Sequence, residues 1–438
     1  MKIKDILEAT GGTFNNAIGL DTEIKDIKID SRKISNGDVF VAIAGSNFDG
    51  HDFADEAINN GALMIISSRD IIQNIPYIKT DDTIKALGDI ASYLINKYKP
   101  KVIGITGSTG KTTTRNLIYH LLREKYNCLT NEKNYNNNVG VPLTIFNLKK
   151  NTDFLILELG MNHPLEISYL SKMIKPDVSI ITNIGSSHIG FLKGRENILK
   201  AKLEILDGMD EKILFINGDD PLLKNINGVK KISSGITCDN DLIIYNVKSD
   251  LYTSSFNLKY NNLEYFIEVK LPYHLISDVL LAINVALYYK IDMDIIAKSL
   301  KSYKSIDKRM DILKDKNNNT IINDCYNSSF ESLTGVLNLL QRETQKKLLI
   351  LGDIKELGSY SKKIHASIKP YLDKIDNKNV FLVGEEMKFL KTNAKYFNNY
   401  SEVISYLKTK NIKDTLILIK GSRSLRLENI CDYFIKSS

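Results

Sequence analysis

The chain is predicted to be α/β, built as three successive units around a central, mainly parallel sheet. Three observations predict this. Apolar, β-branched runs ending in Gly, Asn or an acid alternate with helical patterns along most of the 438 residues, which is the rhythm of strand–helix–strand units. A glycine-rich turn, GSTG, joins one such strand to a helix at residues 107–110. The pattern changes character near residues 84 and 307, and a chain of this length suffices for two to four domains.

Residues 1–84 open with a short helix ending in glycines, MKIKDILEATGG, and continue in short alternating pieces. EIKDIKIDSR, GDVFVAIAG, ALMIISS and YIKT are separated by NG and DG turns, so a small α/β unit is expected. Residues 85–307 begin with the helical TIKALGDIASYLINKYK and then carry the strands KVIGIT, DFLILELG, DVSIITNIG and KILFINGDD. Helical segments lie between several of these, which implies a mainly parallel sheet. DLIIYNVKS, SSFNLKY and EYFIEVK, within 241–270, read as an antiparallel annex, and 277–300 as helices. Residues 308–438 repeat the α/β rhythm, with TIINDCY, KKLLILGDI, NVFLVG and TLILIKGS as strands. Helices are expected in ESLTGVLNLLQ, SKKIHASIKPYLDKI, EVISYLKTK and RLENICDYFIK.

Composition excludes several classes. Hydrophobic residues make up 43% and charged residues 25%, ordinary for a globular protein. No apolar run approaches a membrane span, and the N-terminus lacks a signal-peptide core, so a cytoplasmic protein without membrane insertion is expected. Four scattered cysteines form no CxxC, and six histidines form no HExxH. The net charge of +7 is spread along the chain. That argues against a nucleic-acid track and suits a solvated surface or small anionic ligands.

The glycine turn carries the strongest signal. In VIGITGSTGKTTTR (102–115) a buried strand enters Thr106, Gly107, Ser108, Thr109, Gly110, Lys111, Thr112 and Thr113, and a helix with Leu117, Ile118, Leu121 and Leu122 follows. Backbone N–H groups and the helix start would cradle phosphate oxygens. Lys111 would offset β and γ charge, and the Thr112 hydroxyl would meet Mg²⁺. The glycine usual six places before such a lysine is replaced by Ile105; Gly104 lies in the strand, leaving Gly107 and Gly110 to make the turns. A small-molecule kinase, an ATPase and an ATP-driven bond-forming enzyme all fit the loop.

Glu158 ends the strand FLILEL, where carboxylates face the ligand crevice of α/β sheets. A lone strand-end acid is ordinarily nothing more, but after a phosphate loop a hard oxygen ligand points to Mg²⁺. His188, in a Gly/Ser-rich loop, reads equally as a packed donor, an exposed residue or a metal-side imidazole. Lys202, with Lys200 and Lys193 nearby, reads from the residues alone as a surface lysine on a helix.

TGSTGKTTT resembles the ATP loop of the Mur ligases, which build the peptide stem of the bacterial cell wall. The resemblance extends over nearly the whole chain, through DSRKISNGDVFVAIAGSNFDGHDF, NYNNNVGVPLT, ELG, NIGSSHIG, AKLE, KRM, NDCYNSS, LGDIKELG and IKGSRSLRLE. The last two resemble the branch that joins D-alanyl-D-alanine to UDP-N-acetylmuramoyl-tripeptide; the DNPR motif typical of the branch adding a single third residue is absent. The resemblance implies a three-domain Mur ligase architecture. Residues 1–84 would recognise the UDP-sugar, residues 85–307 would bind ATP, and a Rossmann-like C-terminal domain at 308–438 would take the dipeptide. It implies an ATP-dependent peptide ligase using two Mg²⁺ ions, with no nucleic-acid partner; a monomer is favoured, though the sequence does not fix the oligomeric state.

It also implies residue roles. Glu158 and Thr112 would hold Mg²⁺, His188 would lie in the second magnesium region, and Lys202 would be N-carboxylated by CO₂ to serve as a metal ligand. Arg309 would reach the ATP phosphates, and His274 and Asp324 would lie by the nucleotide. Ser31, Arg32, Asp49, Gly50 and His51 would meet the UDP-sugar, with Asn137 as a further substrate contact. Tyr326, Asn327, Asp353, Leu357 and Arg423 would line the stem-peptide and dipeptide side. Two segments depart from the family: YNSSF stands for YNANP at 326–330, and LPYH replaces a glycine-opened histidine segment at 271–274. A ligase for folate or poly-amino acids, a non-catalytic nucleotide-regulated protein and a nucleic-acid motor are the competing classes. The first would lack DSR…DGH, the second would not need Glu158, Lys202 and Arg309 together, and the third would need a basic track.

Overall fold

Three sheets organise the computed structural model, which describes residues 1–15, 18–45, 48–72, 74–132, 134–237, 239–304 and 310–436. The first sheet runs in the order Thr13–Asn15, Tyr77–Lys79, Met64–Ser67, Val39–Val41, Ile27–Lys28, with its first pair antiparallel and the others parallel. The helix Ile3–Thr10 ends at Gly11, whose φ of 61° is the left-handed conformation that a helix C-terminus favours in glycine. DSR does not extend a strand. Asp30 caps the short 3-10 turn Ser31–Lys33 through the Arg32 N–H instead.

The central sheet has nine strands among the described residues. Lys101–Thr106, third from one edge, is flanked by Phe154–Glu158 and Val178–Ile181, all parallel. Successive residues of these strands enter opposite cores. Val102, Leu155, Leu157 and Ile181 join one core, while Ile103, Ile105, Ile156 and Ile180 join the other. This is the period of two, with both faces covered, that makes the strands read as unbroken apolar runs. Gly104 serves packing: a Cβ there would lie 3.3 Å from Ile205 and Pro176.

The annex expected at 241–270 is antiparallel, through Leu242–Ser249, Ser254–Tyr260 and Leu263–Val269. It is not separate, because Ser234 and Gly235 pair in parallel with Leu242 and Ile243 and extend the main sheet. The third sheet runs Asp311–Lys314, Thr320–Asp324, Thr415–Lys420, Lys346–Gly352, Lys378–Val383, Lys395–Phe397 and is parallel beyond its first pair. The segment expected as one helix at 361–375 breaks into Ser361–Ala366 and Lys369–Asp373.

The helix Thr83–Tyr98, capped by Asp82, packs against the N-terminal helix through a polar bond set. Asp5 accepts hydrogen bonds from its own helix start at Lys2 N (2.9 Å), from the Tyr93 hydroxyl (2.8 Å) and from Lys97 Nζ (3.0 Å). Burial pushes the Asp5 carboxyl up, but these donors outweigh it and hold its pKa near about 2 rather than 3.8. A depressed folded pKa contributes stability that is complete above the unfolded value and is lost as pH falls through the folded one. Asp5→Asn is therefore expected to destabilise this helix pair by about 1–2 kcal/mol at pH 7. In denaturant titrations the gap to wild type should close between about pH 4 and pH 2.

Candidate active site

The phosphate loop follows from two glycines and the helix they start. Gly107 has φ 148° and Gly110 φ 79°, conformations that an L side chain rarely adopts. A Cβ at Gly107 would collide with the Thr182 hydroxyl, and one at Gly110 with the Asp278 carboxylate. Gly110 caps the helix Lys111–Leu122, so the first N–H groups of that helix open onto the cleft. Asn183 braces the loop, accepting from Thr109 N at 3.0 Å and donating to Thr109 Oγ1 at 2.8 Å. Lys111 Nζ folds back to Gly107 O at 2.8 Å.

Glu158 lies beside this helix start, 4% exposed. Its Oε2 accepts from Thr112 Oγ1 at 2.7 Å and its Oε1 from Asn136 Nδ2 at 2.8 Å, with Arg115 Nη1 at 3.7 Å. Thr112 and Glu158 thus offer adjacent hard oxygen donors. Among the described residues no group of three or more His, Cys, Asp or Glu could hold a metal. The set fits magnesium, which takes one or two carboxylates and completes its shell with phosphate oxygens and water.

Lys202 is not the surface lysine that its sequence context suggests. It is 1% exposed and makes no hydrogen bond or ion pair among the described residues. Burial, reinforced by Lys111, pushes its ammonium well below the ordinary lysine range; Glu158 and Glu204 pull the other way without reversing this.

One cavity of about 1000 Å³ collects most of the predicted residues. From the middle of the chain come Ser108–Thr113, Asn137, Glu158, His188 and His274; from the strand ends of the last sheet and the segments after them come Asp324, Tyr326, Asn327, Lys420 and Arg423. Asp324 and Lys420, paired across neighbouring strands, form a buried ion pair at 2.5 Å. His188 Nδ1 stands 2.7 Å from Glu356 Oε2, linking the two halves of the cleft. Arg423 lies over the Tyr326 ring at 6.0 Å. The His274 ring packs on Gly335, where a Cβ would lie 3.2 Å from its Cγ. Burial, aided by Lys420 and opposed by Asp324, lowers its pKa to about 4.

Three family models tile this chain. The Mur ligase middle domain matches residues 105–286, the Mur ligase family catalytic domain matches 23–101, and the Mur ligase glutamate ligase domain matches 308–423. A UDP-N-acetylmuramoyl-tripeptide--D-alanyl-D-alanine ligase of Bacillus subtilis is 33% identical over 454 residues, covering 99% of this chain and 98% of that one. The chain belongs to the Mur ligase family. A Buchnera aphidicola protein of the same name is 34% identical over 94% of this chain and 93% of its own length. Among solved structures, MurF from Acinetobacter baumannii superposes with a TM-score of 0.92 at 27% identity, over 99% of this chain and 98% of that one. A Thermotoga maritima MurF ligase in complex with ADP superposes at 0.85 and 28% identity, over 94% and 97%.

Not every predicted residue of this Mur ligase reaches the cavity. Ser31 donates to Glu56 Oε2 at 2.5 Å, and Arg32 folds onto Asp30 at 2.9 Å. Asp49 accepts from His51 N at 3.0 Å and His51 Nδ1 at 2.6 Å and pairs with Arg69, while His51 Nε2 accepts from Ser68 N at 3.2 Å. The His51 N–H leads the contacts that hold the Asp49 carboxyl near about 2. Gly50 allows close approach, since a Cβ would lie 2.6 Å from Ile43 N. The contacts of all five residues are made within the first unit, and none of the five lines the cavity. Asp353 and Leu357 are also interior, each 1% exposed. Asp353 is taken up by Met387 N at 2.8 Å and Lys355 Nζ at 2.8 Å. Arg309 lies outside the described residues.

Sequence reasoning passed over Asn183, Asp278 and Glu331. Asp278 is 3% exposed, touches Gly110, and accepts from Thr114 Oγ1 at 3.2 Å. Asn183 does stand at a strand end, the signal that could have found it; Asp278 stands inside an apolar helical run and gives none. The tight fit at Gly107 predicts that Gly107→Ala leaves the protein folded but weakens ADP binding by at least about tenfold. Calorimetric titration checks this.

Proposed function

We propose that this Mur ligase joins D-alanyl-D-alanine to UDP-N-acetylmuramoyl-tripeptide at the expense of ATP, making a peptidoglycan precursor in the cytoplasm. The observation that carries the proposal is the single cavity in which the phosphate loop and Glu158 face Tyr326, Asn327, Lys420 and Arg423. It occurs in a chain that aligns end to end with a ligase of that name. Residues 1–84 serve the UDP-sugar, with Ser31, Arg32 and the Asp49–His51 turn on its side. Residues 85–307 serve ATP, and residues 308–438 serve the dipeptide.

In this reading the helix start at Lys111 and the loop amides take the phosphates, with Lys111 balancing their charge. Thr112 and Glu158 hold magnesium, two ions in all, with Lys202 joining them as its carbamate; bound there, magnesium offsets phosphate charge. The tripeptide's terminal carboxylate oxygen attacks the γ phosphorus and ADP leaves. The dipeptide's amine nitrogen attacks the resulting acyl phosphate carbon, phosphate leaves, and the amine proton passes to a base, for which His188 and a substrate phosphate are the candidates. Arg309 clamps the phosphates, and closure of the last unit keeps water from the acyl phosphate. Lys420 and Arg423 supply positive charge for a carboxylate on the dipeptide side.

The Lys202 environment supports carbamylation. Only the neutral amine attacks CO₂, and burial favours that form. The product puts a carboxylate in place of a neutral amine in the electrostatic neighbourhood of Lys111.

The deciding assay supplies UDP-N-acetylmuramoyl-tripeptide, ATP, Mg²⁺ and either D-alanyl-D-alanine or single amino acids. ADP release and ligated product are expected with the dipeptide alone; product from a single amino acid on the UDP-dipeptide would move the chain to the third-residue branch. Lys202→Ala is expected to lower kcat on the order of 100-fold, and Lys202→Glu to retain part of the rate. Equal, near-wild-type rates for both would remove Lys202 from the site.

A further inference from the structure

The boundary between the ATP-side and last units carries a carboxylate that the scheme above does not use. Glu331 stands in the first turn of the helix Phe330–Leu340 and lines the cleft. Both of its oxygens reach across to one residue. Oε1 accepts from Ser186 N at 2.7 Å, and Oε2 accepts from Ser186 Oγ at 3.1 Å. Gly185 leaves room for this grip, since a Cβ there would lie 2.7 Å from the Glu331 Cδ.

The gripped loop in turn holds the phosphate loop. Gly185 N donates to Ser108 Oγ at 2.8 Å, and Ser187 Oγ donates to Ser108 O at 3.1 Å. Ser108 N donates to Asn183 O at 3.0 Å, and the Asn183 side chain braces Thr109. A continuous run of hydrogen bonds therefore leads from a side chain of the last unit to the residues that would cradle ATP.

We propose that Glu331 is a positioning residue that registers the last unit against the phosphate loop, so that the loop is fully ordered for nucleotide only when that unit is docked. Two hydrogen bonds from one residue to the same side chain fix its orientation as well as its distance. The inference rests on reading the loop as the ATP site.

The test compares wild type, Glu331→Ala, Glu331→Gln and Ser186→Ala as full chains. Calorimetry gives ADP affinity, small-angle scattering of the ADP-loaded protein gives the radius of gyration, and steady-state assays give kcat and each KM. Glu331→Ala is expected to weaken ADP and raise the KM for ATP about tenfold. Its radius of gyration should rise, while the KM for the UDP-substrate and the unfolding temperature hold. Glu331→Gln keeps an acceptor for Ser186 N, and Ser186→Ala keeps the backbone donor, so both should stay within about threefold of wild type. The proposal is overturned if Glu331→Ala binds ADP within about twofold of wild type, or if its unfolding temperature falls and every KM moves together. A wild type that shows no dipeptide-dependent ADP release would sink the ligase reading instead, and the ADP affinities would still decide the role of Glu331.

Discussion

The buried carboxylate of Glu158 is the constraint around which the cleft is built. A charge at 4% exposure must be met by donors or it costs several kcal/mol. Here the donors come from two different segments. Thr112 belongs to the helix after the phosphate loop and Asn136 to the Asn-rich turn. The backbone on either side of Glu158 is clamped as well. Asn131 accepts from Glu158 N at 3.0 Å and donates to Glu158 O at 2.9 Å. One strand end therefore fixes the start of the phosphate helix and the course of the 131–137 turn. The low-complexity NYNNN has a physical use there, because amides satisfy a buried carboxylate without introducing a second charge.

The opposite problem stands beside it. Lys111 and Lys202 are like charges in one electrostatic neighbourhood, and Lys202 is the one without a hydrogen bond among the described residues. Desolvation settles the conflict by favouring a neutral amine at Lys202. A buried neutral amine near Lys111 is under-used as a structural group, since it neither pairs with a carboxylate nor offsets phosphate charge. The proposed carbamate gives burial at this position a function, as it would set an anion near Lys111 where an ammonium is disfavoured.

How much of this was legible in the sequence depended on whether a residue's partners lie near it along the chain. The phosphate loop was legible because strand, glycines, lysine and helix are contiguous. The strand-end rule found Glu158, whereas the family resemblance selected Asp353, another acid at a strand end, which turns inward to Met387 N and Lys355. The rule sees that an acid ends a strand, but not whether the backbone beyond consumes it. Lys202 looked exposed because its helix, Arg195–Leu203, mixes charges around its surface; Lys111 and Glu158, which share its electrostatic neighbourhood, are distant in sequence. Asp278 and Glu331 had no local signal, since their contacts at Gly110 and Ser186 lie well over a hundred residues away. The antiparallel annex was legible from its alternation, whereas its fusion to the main sheet rests on a two-residue pairing at Ser234 and Gly235.

The departures from the family pattern near residue 326 show what that loop has to preserve. Without the usual proline, the helix Phe330–Leu340 starts through Ser329, whose side chain accepts from Ser332 N while Ser332 Oγ accepts from Ser329 N. This capping box holds the helix start where a proline would have preset it. Just before it, Lys420 Nζ binds Asp324 at 2.5 Å and reaches Asn327 O at 3.3 Å. Buried ion pairs add little net stability, but losing one partner strands the other, so they hold geometry firmly. The segment from Asp324 to Ser332 is thus pinned at both ends. Tyr326 and Asn327 are presented to the cleft, and Glu331 is aimed at Ser186. What the loop preserves is the placement of its ends, and a different set of side chains achieves it.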